Sequence, residues 1–210
     1  MKPLLMIRHL ETDLKGTFCG HSDPPLNGEG GMGLPALLDK LSDFNVTKIF
    51  SSDLLRCRQT ADAIAKRFGA EIEVRRKLRE MYFGEWEGLT WDRVQRDYPE
   101  DAERWLEAYP QSTAPGGELF SDFESRVLQE MEYLRQQSAT SQIAVVTHAG
   151  VMQIALTQLF DFSPQQAWQI TRPYGTVCVG KCSGSLEHPA KVDSGQHEGE
   201  KGGARWSRAW

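Results

Sequence analysis

The run Gln142–Thr147 (Q-I-A-V-V-T) limits the possible folds more than any other stretch. It is apolar, of strand length, and ends at His148, where Ala149-Gly150 opens a helix reaching about Phe160. A strand without polar alternation is covered on both faces, and helices give that cover when strands run parallel. The same order recurs along the chain. Lys2–Ile7 reads as a short buried strand and Val46–Ser51 as a second. Asp53 is placed to cap a helix from Leu54 to about Phe68, in which Leu54, Cys57, Ala61, Ile64, Ala65 and Phe68 share one face. A helix is expected over about Gly33–Leu41 and a strand over Glu71–Val74. Leu119–Gln137 is expected as an amphipathic helix with Phe123, Val127, Met131 and Leu134 on its apolar face. Two closing strands are expected at Trp168–Thr171 and Thr176–Lys181. Strands alternating with helices predict a three-layer α/β/α sandwich with a mostly parallel central sheet.

The pattern divides the 210 residues unevenly. Residues 1–182 are expected to form one domain. Within it, about 81–118 is aromatic and irregular, with short helical pieces around Trp91 and Trp105, and reads as a cap inserted over something. Residues 183–210 are rich in Gly, Ser, Lys, Glu and His with almost no aliphatic side chains, so they are expected to lie outside the fold as a disordered tail. The formal net charge of −5 argues against nucleic acid or an anionic membrane as the main partner. A local basic pocket for a small phosphorylated metabolite is compatible with it. No run approaches the roughly 18 apolar residues of a membrane span, and the N-terminus lacks a signal-peptide pattern, so a cytoplasmic location is expected. Cys19, Cys57, Cys178 and Cys182 have no zinc-ligand spacing and read as reduced thiols. No metal and no cofactor are expected, and the sequence does not determine the oligomeric state.

Four clusters carry chemistry. Leu5-Met6-Ile7-Arg8-His9-Leu10-Glu11-Thr12 places an imidazole at a strand end beside a guanidinium. Neutral imidazole attacks phosphorus, and guanidinium forks onto phosphoryl oxygens. Taken alone, Arg8-His9 also fits a hydrogen-bonded structural histidine. Arg56 falls in the first turn of the helix after Ser51-Ser52-Asp53, where free N–H groups favour an anion. Leu78-Arg79-Glu80-Met81-Tyr82-Phe83-Gly84-Glu85-Trp86-Glu87 sets three carboxylates among aromatics, and a partly buried carboxyl can serve as a general acid. Spacing does not choose between Glu80, Glu85 and Glu87. His148 follows the buried strand and precedes a helix. In a parallel sheet the carboxyl ends of the strands share one crevice, so His9, Arg56 and His148 are expected together.

These clusters, in this order from Leu4 to Lys181, resemble the histidine phosphatase superfamily, with its phosphoglycerate mutase-like fold. The resemblance implies that His9 becomes phosphohistidine and that Arg8, Arg56 and His148 bind the phosphoryl oxygens. It also implies that Glu80 protonates the leaving oxygen and then activates water. The family's usual R-H-G-E-T, followed by Asn, departs here: Leu10 replaces Gly, and Lys15 stands at the Asn. A side chain at position 10 is expected to narrow the pocket or alter the turn, changing specificity rather than abolishing activity.

A narrower resemblance follows. Lys15 to Leu26, Glu80 to Glu87 and Pro115-Gly116-Gly117-Glu118 are similar to the α-ribazole phosphatases. These enzymes remove the 5′-phosphate of α-ribazole phosphate in cobalamin nucleotide-loop assembly. From composition, Tyr82 and Phe83 are candidates to line an aromatic substrate pocket suited to a benzimidazole, and His21 in the loop is a candidate to approach the substrate or to be exposed. The alternatives are a broad-specificity sugar or nucleotide phosphatase, a phosphoglycerate mutase, and a catalytically silent phospholigand-binding module.

Overall fold

The computed structural model describes residues 3–181 and 185–187. Six strands form one sheet: β1 (Leu4–Arg8), β2 (Lys48–Ser51), β3 (Glu71–Val74), β4 (Ile143–Thr147), β5 (Val177–Lys181) and β6 (Ser185–Glu187), in the order β3-β2-β4-β1-β5-β6. The pairs β1·β4, β2·β4 and β2·β3 are parallel, whereas β5 and β6 join antiparallel at one edge. Strand β6 falls inside the segment set aside from residue 183; the remainder of that segment, and Cys182, lie outside the described residues.

Side-chain alternation along the strands separates two apolar layers. Leu4, Met6, Phe50 and Val145 pack against α5 (Phe120–Gln137) and α6 (Ala149–Leu159). Leu5, Ile7, Ile49, Ala144 and Val146 face α1 (Gly28–Lys40) and α2 (Leu55–Phe68). This is the expected sandwich. The remaining helices are α3 (Trp91–Asp97), α4 (Pro99–Ala108) and α7 (Pro164–Thr171). A third apolar cluster, centred on Phe18, Trp86, Val94 and Trp105, ties α3 and α4 to the loop after β1.

Three local expectations are corrected. Trp168–Thr171 is the second half of α7, not a strand. Ser163 caps that helix in a reciprocal box with Gln166, and Pro164 occupies its first turn. Those signals outweigh the β-propensity of Trp, Ile and Thr. Asp53 does not cap α2, because its carboxylate is committed to Arg79 at 2.7 and 2.6 Å. The Leu55 N–H is taken instead by Asp23 from the loop after β1, at 2.5 Å. Helix α1 starts earlier than expected, at Gly28, because Asn27 accepts from Gly30 N, and it carries Pro35 within its length.

Candidate active site

Register places the two histidines side by side. Arg8 on β1 pairs with Thr147 on β4, and His9 N donates to Thr147 O at 2.9 Å. The next residue on each strand is therefore a histidine leaving the sheet at the same level, and the His9 and His148 rings lie 5.1 Å apart. On the other side of β4, Ser51 pairs with Val146 and Ser52 N donates to Val146 O at 3.0 Å, which brings the start of α2 to the same crevice. His9, Arg56 and His148 are thus assembled as the strand-end argument expects.

His9 is buried, and its Nδ1 lies 2.7 Å from Leu10 O. A ring nitrogen facing a carbonyl oxygen can only donate, so the proton sits on Nδ1 and Nε2 keeps its lone pair. Arg56 Nε donates to that Nε2 at 3.2 Å. Desolvation first, then the charges of Arg56 and Arg8, holds the imidazole well below its usual range and hence neutral. His148 is held low in the same way, by burial and by Arg56; its Nε2 faces Ser52 Oγ at 3.0 Å.

Arg56 is fully buried. Its terminal nitrogens donate to Ser22 O, Cys19 O and Gly20 O at 2.7, 3.3 and 2.8 Å, so it organises the loop after β1 as well as facing His9. Glu87 pins the same loop from beyond: its carboxylate accepts from Gly20 N, His21 N, Ser22 N, Ser22 Oγ and Phe83 N. Gly20 is required there, since a Cβ would run into Met81 O and the Glu87 carboxylate. Glu87 is a structural anchor; burial pushes its pKa up, but the Ser22 hydroxyl and the backbone N–H groups outweigh that and hold it low.

Glu80 separates from the other carboxylates. It is buried, with Oε2 accepting from Gly150 N at 2.9 Å and Oε1 from Met81 N at 3.0 Å. A side chain at position 150 would collide with this carboxylate, so the glycine that opens α6 makes room for the acid. Desolvation raises its pKa against the pull of those two N–H groups and of Arg56 and Arg8. Arg126 fixes the backbone beneath it, donating to Lys77 O, Arg79 O and Glu80 O while bound to Glu118. Nothing in the sequence singled out Arg126, because its partners are main-chain carbonyls 46 to 49 residues away.

Arg8, His9 and Glu80 line a cavity of about 970 Å³. That is far more than a phosphoryl group fills and lies at the upper end of small-molecule sites. Much of its lining is aromatic, including Phe18, Phe83, Trp91, Trp105, Phe123 and Trp168. His21 and Tyr82 stand apart from it. The two rings pack on each other at 5.1 Å, Tyr82 is 38% exposed, and His21 lines a separate small pocket with Arg76, Lys77, Arg79 and Arg126. Of the two aromatics expected to line the pocket, Phe83 does and Tyr82 does not; the other lining aromatics are scattered between positions 18 and 174, which no local spacing reveals.

Leu10 does not narrow the cavity either. Its side chain is 5% exposed and belongs to the apolar layer under α1. Added Cβ atoms at Gly33 and Gly175 would lie 3.1 and 2.8 Å from a Leu10 methyl, so two glycines accommodate the leucine away from the site. Lys15 does reach the cavity rim, where it pairs with Glu11 at 2.6 Å. Cys19 also lines the cavity, and burial pushes its thiol up to about 11. Among the described residues no group of three or more His, Cys, Asp or Glu is placed to hold a metal, and no helix is long and apolar enough to cross a membrane.

Comparison with known proteins agrees with this geometry. Phosphoserine phosphatase 1 of Hydrogenobacter thermophilus is 29% identical over 170 residues, covering 80% of this chain and 81% of that protein. The adenosylcobalamin/α-ribazole phosphatase of Salmonella typhimurium is 29% identical over 184 residues, covering 84% of this chain and 91% of its own length. The crystal structure of the α-ribazole phosphatase from Shigella flexneri superposes with a TM-score of 0.78 at 24% identity over 88% of this chain and 94% of that one, a likeness of fold. Residues 4–189 match the family model of the histidine phosphatase superfamily, branch 1. The chain is therefore an enzyme of that superfamily.

Proposed function

We propose that the protein hydrolyses phosphomonoesters through a phosphohistidine on His9, and that its substrate is α-ribazole 5′-phosphate, cleaved to α-ribazole in cobalamin nucleotide-loop assembly. The observation that carries the chemistry is the neutral His9 ring, with its proton on Nδ1 and its Nε2 lone pair turned to Arg56 Nε at 3.2 Å. On substrate binding, phosphorus takes that lone pair and the Arg56 N–H passes to a phosphoryl oxygen. As the N–P bond forms, the bond from phosphorus to the leaving oxygen breaks, and the protonated Glu80 supplies that oxygen with its proton. Arg8, Arg56 and His148 carry the charge on the equatorial oxygens. Water then attacks phosphohistidine, Glu80 takes its proton, the P–N bond breaks, and phosphate leaves with His9 neutral again.

Equal identity to a phosphoserine phosphatase and to an α-ribazole phosphatase leaves the leaving group to the cavity. Its volume and aromatic lining suit a bulky flat alcohol better than serine. The test is kcat/KM, with chelator present, for α-ribazole 5′-phosphate, O-phosphoserine, a mononucleotide, a sugar phosphate and 3-phosphoglycerate. The α-ribazole ester is expected to lead. A lead by phosphoserine would replace the substrate and keep the phosphatase; isomerisation without phosphate release would make the enzyme a mutase.

A further inference from the structure

We propose that Tyr174 is the positioning residue of the phosphoryl group, its ring holding the Arg8 guanidinium in place. This rests on the reading that Arg8 and His9 receive the phosphoryl group. The Arg8 guanidinium carbon lies 4.0 Å from the centre of the Tyr174 ring, and the His9 ring lies 5.6 Å from it. Tyr174 is thus an aromatic side chain against both members of the dipeptide, and it lines the same cavity. Its place is enforced by backbone. Gly175, at φ 67°, turns the chain into β5, and Gly175 N donates to His9 O at 3.4 Å while Arg8 N donates to Thr176 O at 3.0 Å. A side chain at 175 is disfavoured twice, by that φ and by Leu10.

Arg8 needs such support. An arginine at a strand end has many rotamers, and freezing them costs entropy that phosphate binding would otherwise have to supply. Here one terminal nitrogen is held by Thr171 O at 3.0 Å and by Arg172 O, both at the end of α7. The ring face of Tyr174 then restricts rotation of the guanidinium plane. The group a substrate meets is already oriented, whatever alcohol it carries. That distinguishes Tyr174 from the cap aromatics, whose contacts depend on the leaving group.

The experiment measures kcat/KM for p-nitrophenyl phosphate and for α-ribazole 5′-phosphate, and competitive inhibition by inorganic phosphate. The variants are Tyr174→Leu, Tyr174→Gln and Tyr174→Phe, each also in an Arg8→Ala background. Leu and Gln are made together so that one folded variant suffices, folding being checked by thermal unfolding. Loss of the ring should cost roughly 5- to 30-fold, equally on both esters and in phosphate affinity. Phe, which keeps the ring, should recover most of it. In Arg8→Ala the same substitutions should cost less than about 2-fold, since the cycle removes the shared contact. A loss confined to one ester, or one that persists without Arg8, would overturn the positioning role. If Arg8→Ala left phosphate binding unchanged, the underlying reading of Arg8 would fall with it, a result separable from the other two.

Discussion

The site draws on two groups of residues that are built in different ways. Among the residues proposed to hold the phosphoryl group, Arg8, His9 and His148 leave adjacent parallel strands whose register is fixed by the β1·β4 ladder, and Arg56 comes from the helix that follows the next strand. Moving any of these side chains would mean breaking sheet hydrogen bonds or opening a layer in which Ile7, Ala144 and Val146 are fully buried. In the cap, Trp91 and Trp105 stand on the short helices α3 and α4, each packed on Trp86 and on Phe18 rather than on the sheet. The difference teaches where each property is encoded. On the proposed reading, chemistry sits on elements held by long-range pairing, and choice of leaving group sits on a satellite cluster remote from the reacting atoms.

The contrast can be broken at Glu80, the proposed general acid. Glu80→Gln should lower kcat/KM for an alkyl phosphate by roughly 10²- to 10⁴-fold, the usual contribution of a positioned acid, and lower it far less for p-nitrophenyl phosphate, whose leaving group departs unprotonated. The pH profile follows from the same group. The acid is active while protonated, and burial raises its pKa, so the wild-type rate on an alkyl ester should fall as pH rises through a point above the usual carboxylate range. On the acid side, His9 is held well below the usual imidazole range, so the nucleophile stays neutral and activity should persist below pH 6.5. An equal loss on both esters, or a profile falling with an ordinary imidazole titration, would detach Glu80 and His9 from these roles.

A smaller effect sharpens the contrast at the cap. Trp91→Ala should raise KM for α-ribazole 5′-phosphate by about 10-fold, as expected for one aromatic contact, and leave kcat/KM for a small ester such as glycerol phosphate within about 2-fold. A uniform loss across both would place Trp91 in support of the phosphoryl group and erase the proposed division.

How much of this could be read from the sequence follows the same line. The order of strands and helices, the crevice at their carboxyl ends, and the convergence of His9, Arg56 and His148 were legible because strand ends and helix starts carry local signals. By spacing Glu80 was legible only as one of three carboxylates, and the family resemblance alone singled it out; the Gly150 N–H and the anchoring of Glu87 by the 20–22 loop separate them in space. The aromatic lining was legible only at Phe83, since it gathers side chains from distant parts of the chain, and Tyr82 beside Phe83 does not line the cavity. Leu10 was misread for the same reason: the space that accepts it comes from Gly33 and Gly175, remote in sequence. Helix α7 was hidden behind a strand-like W-Q-I-T, although the capping pair Ser163 and Gln166 was present in the sequence.

The central claim is that phosphorus is transferred to one imidazole. Wild-type enzyme mixed with excess substrate, quenched in alkali within one turnover and digested, should carry a phosphoryl group on the peptide containing His9, formed and lost at rates that account for kcat. Normal turnover with no such label, or with the label on another residue, would contradict it.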